Sequence, residues 1–479
     1  MKKGEGVYNV VVIGAGTAGL VTAAGTAGLG GRVALIERNL MGGDCLNFGC
    51  VPSKALISSA RLIQQIRESE KWGLDRQTPE FAFEKVFERM RARRAKIAPN
   101  DSQERFESLS VDVFRGEARF VSPHEIEVDG QKLRAKNFVI ATGSRATVPK
   151  IEGIESVPYF TNETIFDELK ESPESVIVLG GGPIGCELGQ AFSRLGAKVT
   201  IVQRSTQLLP REDVEVAEFM QKRFMAEGIC VRLKAGAKHV SIGDGKVALE
   251  FADAEPMTSD AMLIATGRTP NLRALNLEAA GVDYDERGVK VNACLQTSQP
   301  HIYAAGDITN RLKFTHTADF TARIVVRNIL MPFQFLRQKV DWSVVPWCTY
   351  TDPEVAHVGL GEKEAKQKNI EYDLFVVPLE DVDRAVVESE ETGFAKILAA
   401  KGSDKILGAT IVAPHAGDLL HEFVLAMSAG IGLGKIASTI HAYPTFAELA
   451  RKAGDKYNKT RLTPRTKKIF TWLYERVRK

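Results

Sequence analysis

No stretch of this chain approaches 18 uninterrupted apolar residues, so a membrane-spanning helix is not expected. Charge of one sign is not in excess either. The 63 Lys and Arg nearly balance 60 Asp and Glu, and a net charge of +3 gives no general case for nucleic-acid binding. Cysteine is scarce: six in 479 residues do not make a secreted disulfide framework. A reducing cytosol is therefore the expected compartment, and there a close cysteine pair is more often catalytic than structural. The hydrophobic content of 44% and charged content of 26% are those of an ordinary soluble protein, long enough for about three domains.

Met1-Lys2-Lys3 and the apolar run Val10 to Ala24 resemble a secretory leader. The run, however, carries Gly14, Gly16 and Gly19 at phosphate-binding spacing, and cleavage would discard them, so the leader is rejected. Tyr8 to Ile13 reads as a buried parallel strand, Gly14-Ala15-Gly16-Thr17-Ala18-Gly19 as the turn into a small-residue helix, and Val33 to Ile36 as a second strand ending at Glu37-Arg38. The first glycine makes the turn, the second admits the pyrophosphate, the third lets helix pack on strand, and the acid is placed for ribose hydroxyls.

The pattern recurs at Ser175 to Leu179, Gly180-Gly181-Gly182-Pro183-Ile184-Gly185 and Lys198 to Val202. Here Gln203-Arg204 stands where the first unit has Glu37. An acid repels a 2′-phosphate and an arginine attracts one, so the first unit suits FAD and the second NADPH over NADH, which stays open. Ala141-Thr142-Gly143 is echoed by Ala265-Thr266-Gly267, and a further short strand ends at Gly306-Asp307. Near Trp342 the glycine fingerprints cease, and strand-like runs alternate with helices to about 450.

Between the fingerprints lies Gly42-Gly43-Asp44-Cys45-Leu46-Asn47-Phe48-Gly49-Cys50-Val51-Pro52-Ser53-Lys54. Positions i and i+5 of a helix are about 7.5 Å apart in rise alone, whereas bridged cysteines keep Cα atoms within roughly 6.8 Å. A Cys45–Cys50 bridge thus needs an opened turn, which Gly49 and Pro52 can provide. Spacing alone leaves redox use, a metal site and two unrelated thiols open. Cys-x4-Cys matches the usual zinc spacings poorly, and no metal site is expected. Cys186, Cys230 and Cys294 are read as core thiols, the last two in strand-like runs; Cys348, after Trp347, reads either as a structural thiol or as one approaching the site.

Together these motifs resemble the flavin-dependent pyridine nucleotide-disulfide oxidoreductases from about residue 8 to 450, with the mercuric-reductase-like branch closest in pattern. The resemblance implies an α/β fold with two Rossmann-like nucleotide-binding domains and a C-terminal α+β dimerisation domain. Its expected parts are an FAD domain over 1–150 and 276–342, an NAD(P) domain over 151–275, the dimerisation domain over 343–450 and a basic tail over 451–479. FAD would be held by Gly14, Gly16, Gly19, Glu37, Arg38, Gly43, Thr142, Gly143 and Asp307. Gly180, Gly182, Gly185, Gln203, Arg204 and Gly267 would hold the nicotinamide cofactor. Cys50 would lie against the flavin, Cys45 would meet the acceptor, and Lys54 and Glu187 would pair near the flavin ring. A homodimer would complete each site from the partner subunit.

Disulfide-reducing relatives place a histidine directly before Pro-Thr and a glutamate four residues after the proline. This chain reads His441-Ala442-Tyr443-Pro444-Thr445-Phe446-Ala447-Glu448. Tyrosine titrates near 10 against roughly 6.5 for histidine, so Tyr443 is a poor base at neutral pH. The expected activity is transfer of electrons from NADPH through FAD and the Cys45–Cys50 dithiol to a small metal-thiolate, thiol or disulfide acceptor. The branch's N-terminal metal-binding domain and C-terminal Cys-Cys pair are not expected here. Two other readings are an NADH-dependent dihydrolipoamide dehydrogenase type with His441 as the base, and a partner-binding flavoprotein with residual diaphorase activity. The tail, with Ile469, Phe470, Trp472, Leu473 and Val477 among Lys and Arg, reads either as a helix docked on its own dimer or as a basic amphipathic helix making peripheral contact with anionic lipid.

Overall fold

The computed structural model describes residues 3–252, 255–309 and 312–478. Its contacts divide the chain into two compact units, one of residues 1–60, 80–204 and 228–341, the other of 61–79, 205–227 and 342–479.

The first unit is built on Val7–Ile13, an almost continuous apolar run that pairs in parallel with Val33–Glu37 on one side and Gln131–Ile140 on the other. Val111–Arg115 extends the sheet beyond Val33–Glu37, and Ile302–Ala304 joins the end of Gln131–Ile140. Successive side chains of a strand point to opposite faces, and the core divides accordingly. Val10, Val12, Val33 and Leu35 pack with Ala18, Leu20, Ala23, Ala322 and Val325, from the helices Thr17–Gly28 and Thr315–Leu330. Val11, Ile13, Ala34 and Ile36 pack on the other face with Phe120, Ile126, Phe138 and Leu275. Each such valine or isoleucine, fully buried, contributes about 2 kcal/mol. Burial on both faces is why these strands read as apolar runs rather than as alternation.

A second parallel sheet has the order Cys230–Arg232, Lys198–Val202, Ser175–Leu179, Ala261–Ile264. At their glycine turns the two sheets repeat the same backbone bonds. Gly14 N donates to Ile36 O and Ala141 N to Ile13 O; Gly180 N donates to Val202 O and Ala265 N to Leu179 O. Cys230 is exposed on an edge strand and is not the core thiol expected from its sequence. Cys294 is buried as expected, though in a turn closed by Asn292 Oδ1 rather than in a strand.

The second unit holds a five-stranded antiparallel sheet, Pro346–Thr349, Glu354–Gly359, Ile406–Ala413, Phe394–Ala400 and Tyr372–Pro378 in spatial order. Asp213 anchors the segment 205–227 to it, accepting from Glu362 N, Lys363 N and Lys396 Nζ. Glu448–Thr460 and Pro464–Val477 are the last two helices. Among the described residues, no helix is long and apolar enough to cross a membrane.

Candidate active site

The cysteine motif folds as the opened turn that a bridge requires. The helix Gly43–Asn47 ends before Phe48-Gly49, and a new helix, Cys50–Arg67, begins at the second cysteine. The two thiols are not bridged in this structure, and the half-buried Cys45 is the hydrogen-bond donor to the Cys50 sulfur. That hydrogen bond, with nearby Lys54, lowers the Cys50 thiol to about 6 against opposing burial. The same bond, reinforced by burial, pushes Cys45 up. Thr315 Oγ1, at the first residue of the helix Thr315–Leu330, lies 3.3 Å from Cys50 Sγ. The pair is therefore polarised, with Cys50 the thiol that gives up its proton more readily.

One helical turn on, Lys54 Nζ lies 2.7 Å from Glu187 Oε2 in the helix Pro183–Arg194. The motif is also braced from the side. Arg268 Nη2 reaches Asp44 Oδ1 at 2.9 Å, and Asn162 Nδ2 donates both to Asp44 Oδ1 and to Phe48 O. Arg94 caps the end of the first short helix through Asn47 O and forms a two-pronged pair with Asp167.

The glycine turns fit a dinucleotide. Gly14 has φ +104°, and a Cβ there would meet Ala141 O at 2.5 Å; a Cβ on Gly19 would meet Gly14 O at 1.7 Å. Gly43 comes so near Gly16 that a Cβ on it would lie 2.5 Å from Gly16 Cα, which leaves bare backbone on both walls of the turn. No acid lies in the first turn of the helix Thr17–Gly28, so its N-terminus favours an anion. Glu37 ends its strand against this turn, accepting from Ala15 N and Asn39 N at 2.7 Å each. Arg38 points instead to Glu117, at 2.9 Å.

Thr142 and Asn271 exchange side-chain-to-backbone hydrogen bonds, and Gly143 O accepts from Asn271 N. Gly267 O accepts from Thr147 N, so the two Ala-Thr-Gly turns are stitched together. Asp307 accepts from Ser144 Oγ at 2.6 Å and lies 3.7 Å from Arg268; burial raises its carboxyl. In the second fingerprint Gly180 and Gly185 repeat the tight contacts of Gly14 and Gly19, while nothing crowds Gly182. Gln203 lies at the end of its strand, its side chain accepting from Arg204 N, and Arg204 is exposed.

In the second unit, Tyr443 is 71% exposed and its hydroxyl donates to Asp383 at 2.9 Å, a bond that raises its pKa. His441 is held by both nitrogens, 2.9 Å from Glu422 Oε1 and 2.9 Å from Thr439 O. Glu448 pairs with Arg451 and Lys452. The sequence reading did not assign Asp44, Arg94, Asn162, Arg268, Thr315, Asp383 or Glu422 to the site. Asp44 lay inside the cysteine motif and Arg268 directly after the second Ala-Thr-Gly turn; the others lay in no recognised motif. Asp213, Glu215 and Glu362 form the one acidic group of metal-binding size among the described residues, and Lys396 Nζ sits among them within 3.4 Å of each.

Comparison with known proteins agrees with this layout. A family model described as pyridine nucleotide-disulphide oxidoreductase matches residues 8–322, and the dimerisation domain of the same family matches residues 345–453. A mercuric reductase from Lysinibacillus sphaericus is 36% identical over 461 residues, 95% of this chain and 83% of the relative. A dihydrolipoyl dehydrogenase from Geobacillus stearothermophilus is 34% identical over 458 residues, 93% of this chain and 95% of the relative. Among solved structures, the HOCl-induced flavoprotein disulfide reductase RclA of Escherichia coli, as its Cu(II) complex, superposes with a TM-score of 0.85 at 27% identity, covering 94% of this chain and 99% of its own. FAD is typical of these enzymes, and the chain belongs to the pyridine nucleotide-disulphide oxidoreductases, on their mercuric-reductase-like side.

Proposed function

We propose that the chain is an FAD-dependent NADPH oxidoreductase whose Cys45–Cys50 dithiol delivers electrons to a metal–thiolate acceptor. The observation that carries this reading is the polarised thiol pair beside the Lys54–Glu187 ion pair, with Cys50 lowered to about 6 and Cys45 pushed up. Gly14, Gly16, Gly19, Glu37, Gly43, Thr142, Gly143 and Asp307 would hold FAD, and Gly180, Gly182, Gly185, Gln203, Arg204 and Gly267 the nicotinamide cofactor. When bound, these cofactors supply hydride transfer and its relay as an electron pair.

The residues of the chain do the rest. Lys54, fixed by Glu187, keeps positive charge beside the Cys50 thiolate. Cys45 gives up its proton as it meets the acceptor. Closure of the thiol and thiolate to a disulfide releases that one proton and two electrons, which reduce the acceptor. Tyr443 of the partner subunit would complete the site. With its hydroxyl committed to Asp383 and its pKa raised, it suits an acceptor that needs no proton abstraction, such as a thiol-bound metal ion, better than an ordinary disulfide.

A second reading has its own observation. His441 is oriented by a carboxylate, Glu422, as a general base would be. That arrangement suits a dihydrolipoamide-type substrate. Anaerobic reduction with NADPH and with NADH, followed by addition of Hg(II)–thiolate complexes, lipoamide or glutathione disulfide, separates the two readings. Turnover of the metal complex that is lost in Cys45→Ser supports the first. Rapid lipoamide turnover lost in His441→Gln replaces it with the second, and normal turnover of every acceptor by Cys45→Ser sinks both.

A further inference from the structure

The last helix, Pro464–Val477, is well formed and buries none of its residues. Pro464 stands in its first turn and the Thr463 side chain accepts from Thr466 N, a sound N-terminal cap. Yet Ile469, Phe470, Trp472, Leu473 and Val477 are all exposed, between 44% for Leu473 and 85% for Val477. A 14-residue helix is marginal in water on its own, and its stability comes from packing one face against something. It also lies beyond residue 453, where the match to the dimerisation domain ends.

The arrangement of side chains indicates what covers that face. At 3.6 residues per turn, Thr466, Ile469, Phe470, Leu473 and Val477 share an arc about 100° wide. Arg465, Trp472 and Arg476 lie along one border, with the Arg476 guanidinium 4.5 Å from the centre of the Trp472 ring. Tyr474 and Lys467 lie along the other. Lys468, Thr471 and Glu475 occupy the back. Four basic residues thus face one acid within the helix. The interior of a protein–protein interface is depleted of lysine and charge, and stacking this helix on its copy would bring like charges together. An apolar floor edged on both sides by Lys, Arg, Trp and Tyr is the pattern of a helix lying in a lipid interface.

We propose that Pro464–Val477 is a peripheral membrane anchor that lies flat on an anionic lipid surface, with Phe470 and Leu473 inserted and Arg465, Lys467 and Arg476 at the headgroups. At about 21 Å its length is too short to span a bilayer. The proposal stands apart from the identity of the electron acceptor.

The test uses the full-length protein with vesicles of phosphatidylcholine alone and of phosphatidylcholine with about one third phosphatidylserine. Wild type is expected to co-sediment with the anionic vesicles and not the neutral ones. The double variant Phe470→Glu/Leu473→Glu is expected to bind them at least tenfold more weakly (~1.4 kcal/mol). Trp472 emission should shift to the blue on anionic vesicles, a shift absent in Trp472→Phe. Diaphorase activity in solution, a check that the variants fold, should be unchanged, because the helix holds no residue placed in the redox machinery. Equal sedimentation of wild type and the double variant overturns the proposal. So does loss of the dimer, read by light scattering, when the helix is removed without any lipid dependence; that outcome assigns the face to a second copy of the chain.

Discussion

Lys54 Nζ and Glu187 Oε2, 2.7 Å apart, tie the helix that begins at the second cysteine to the helix that begins at the second glycine fingerprint. The pair is lopsided: the Glu187 side chain is 6% exposed and that of Lys54 34%. Removing the lysine leaves a buried carboxylate without its cation, whereas removing the glutamate leaves an ammonium that water can still reach. Lys54→Met should therefore cost about 2–3 kcal/mol of stability and Glu187→Gln about 1 kcal/mol or less. Chemical denaturation of both variants checks the order, and a larger loss in Glu187→Gln would refute this account of the pair.

Residues that close a local pattern were legible in the sequence, and of the pairs that act across the chain only Lys54–Glu187 was expected, through the family resemblance. The sheets, the glycine turns and the opened turn between Cys45 and Cys50 follow from spacing over a few residues. Arg268, Asn162 and Thr315 reach the cysteine motif from 118 residues or more away. No periodicity marks such a position, because its partner is chosen by tertiary packing alone. Cys230 misled for a related reason: an apolar strand pattern does not reveal that the strand lies at a sheet edge.

The Cys45–Cys50 hydrogen bond sets a pH profile. Cys50 is lowered to about 6, so its reactive thiolate forms as pH rises through that value and is already abundant at neutrality. Alkylation of the reduced protein by iodoacetamide, read at Cys50 by peptide mapping, should rise with a midpoint near 6 rather than near the ordinary 8.5 or so. Cys45→Ala deletes the donor and should move the midpoint upward. An unmoved midpoint would show that the neighbouring thiol does not hold the charge.

Gln203 and Arg204 decide the nicotinamide cofactor if the second fingerprint works as the first does. Glu37 bonds back to Ala15 N, whereas Gln203 carries no charge and Arg204 stands exposed beside it. Gln203→Glu/Arg204→Ala should weaken NADPH relative to NADH by roughly tenfold or more, about 1.4 kcal/mol for each factor of ten. The ratio of kcat/KM for the two cofactors is the measurement. A ratio left unchanged would remove Arg204 from cofactor choice.

Tyr443 offers a gain-of-function test. Its hydroxyl donates to Asp383, and a histidine at the same place would meet the same carboxylate while titrating near neutrality. Tyr443→His should raise turnover of lipoamide or glutathione disulfide by about 10²-fold, the lower end of what a positioned base contributes. It should leave cofactor oxidation by quinones unchanged. If disulfide turnover does not rise, the limit on substrate lies elsewhere than at this residue.

Arg268 and Asp44 are joined at 2.9 Å, with Asp307 3.7 Å from the same guanidinium and its carboxyl raised by burial. This arginine thus neutralises two carboxylates from distant parts of the chain, one beside Cys45 and one in the turn that follows the strand Ile302–Ala304. Arg268→Met takes this cation from both, leaving Asp44 to Asn162 and Asp307 to Ser144, and should cost about 3 kcal/mol. Asp44→Asn alone should cost less, because Arg268 keeps Asp307 and Asn162 still bonds to the amide oxygen at residue 44. If the two residues act as a pair, the double variant will lose less than the sum of the single losses, with a coupling of roughly 1–3 kcal/mol. Additive losses from the four denaturation curves would mean that Arg268 serves Asp307 alone, and that the cysteine turn is braced by Asn162 and Arg94 without it.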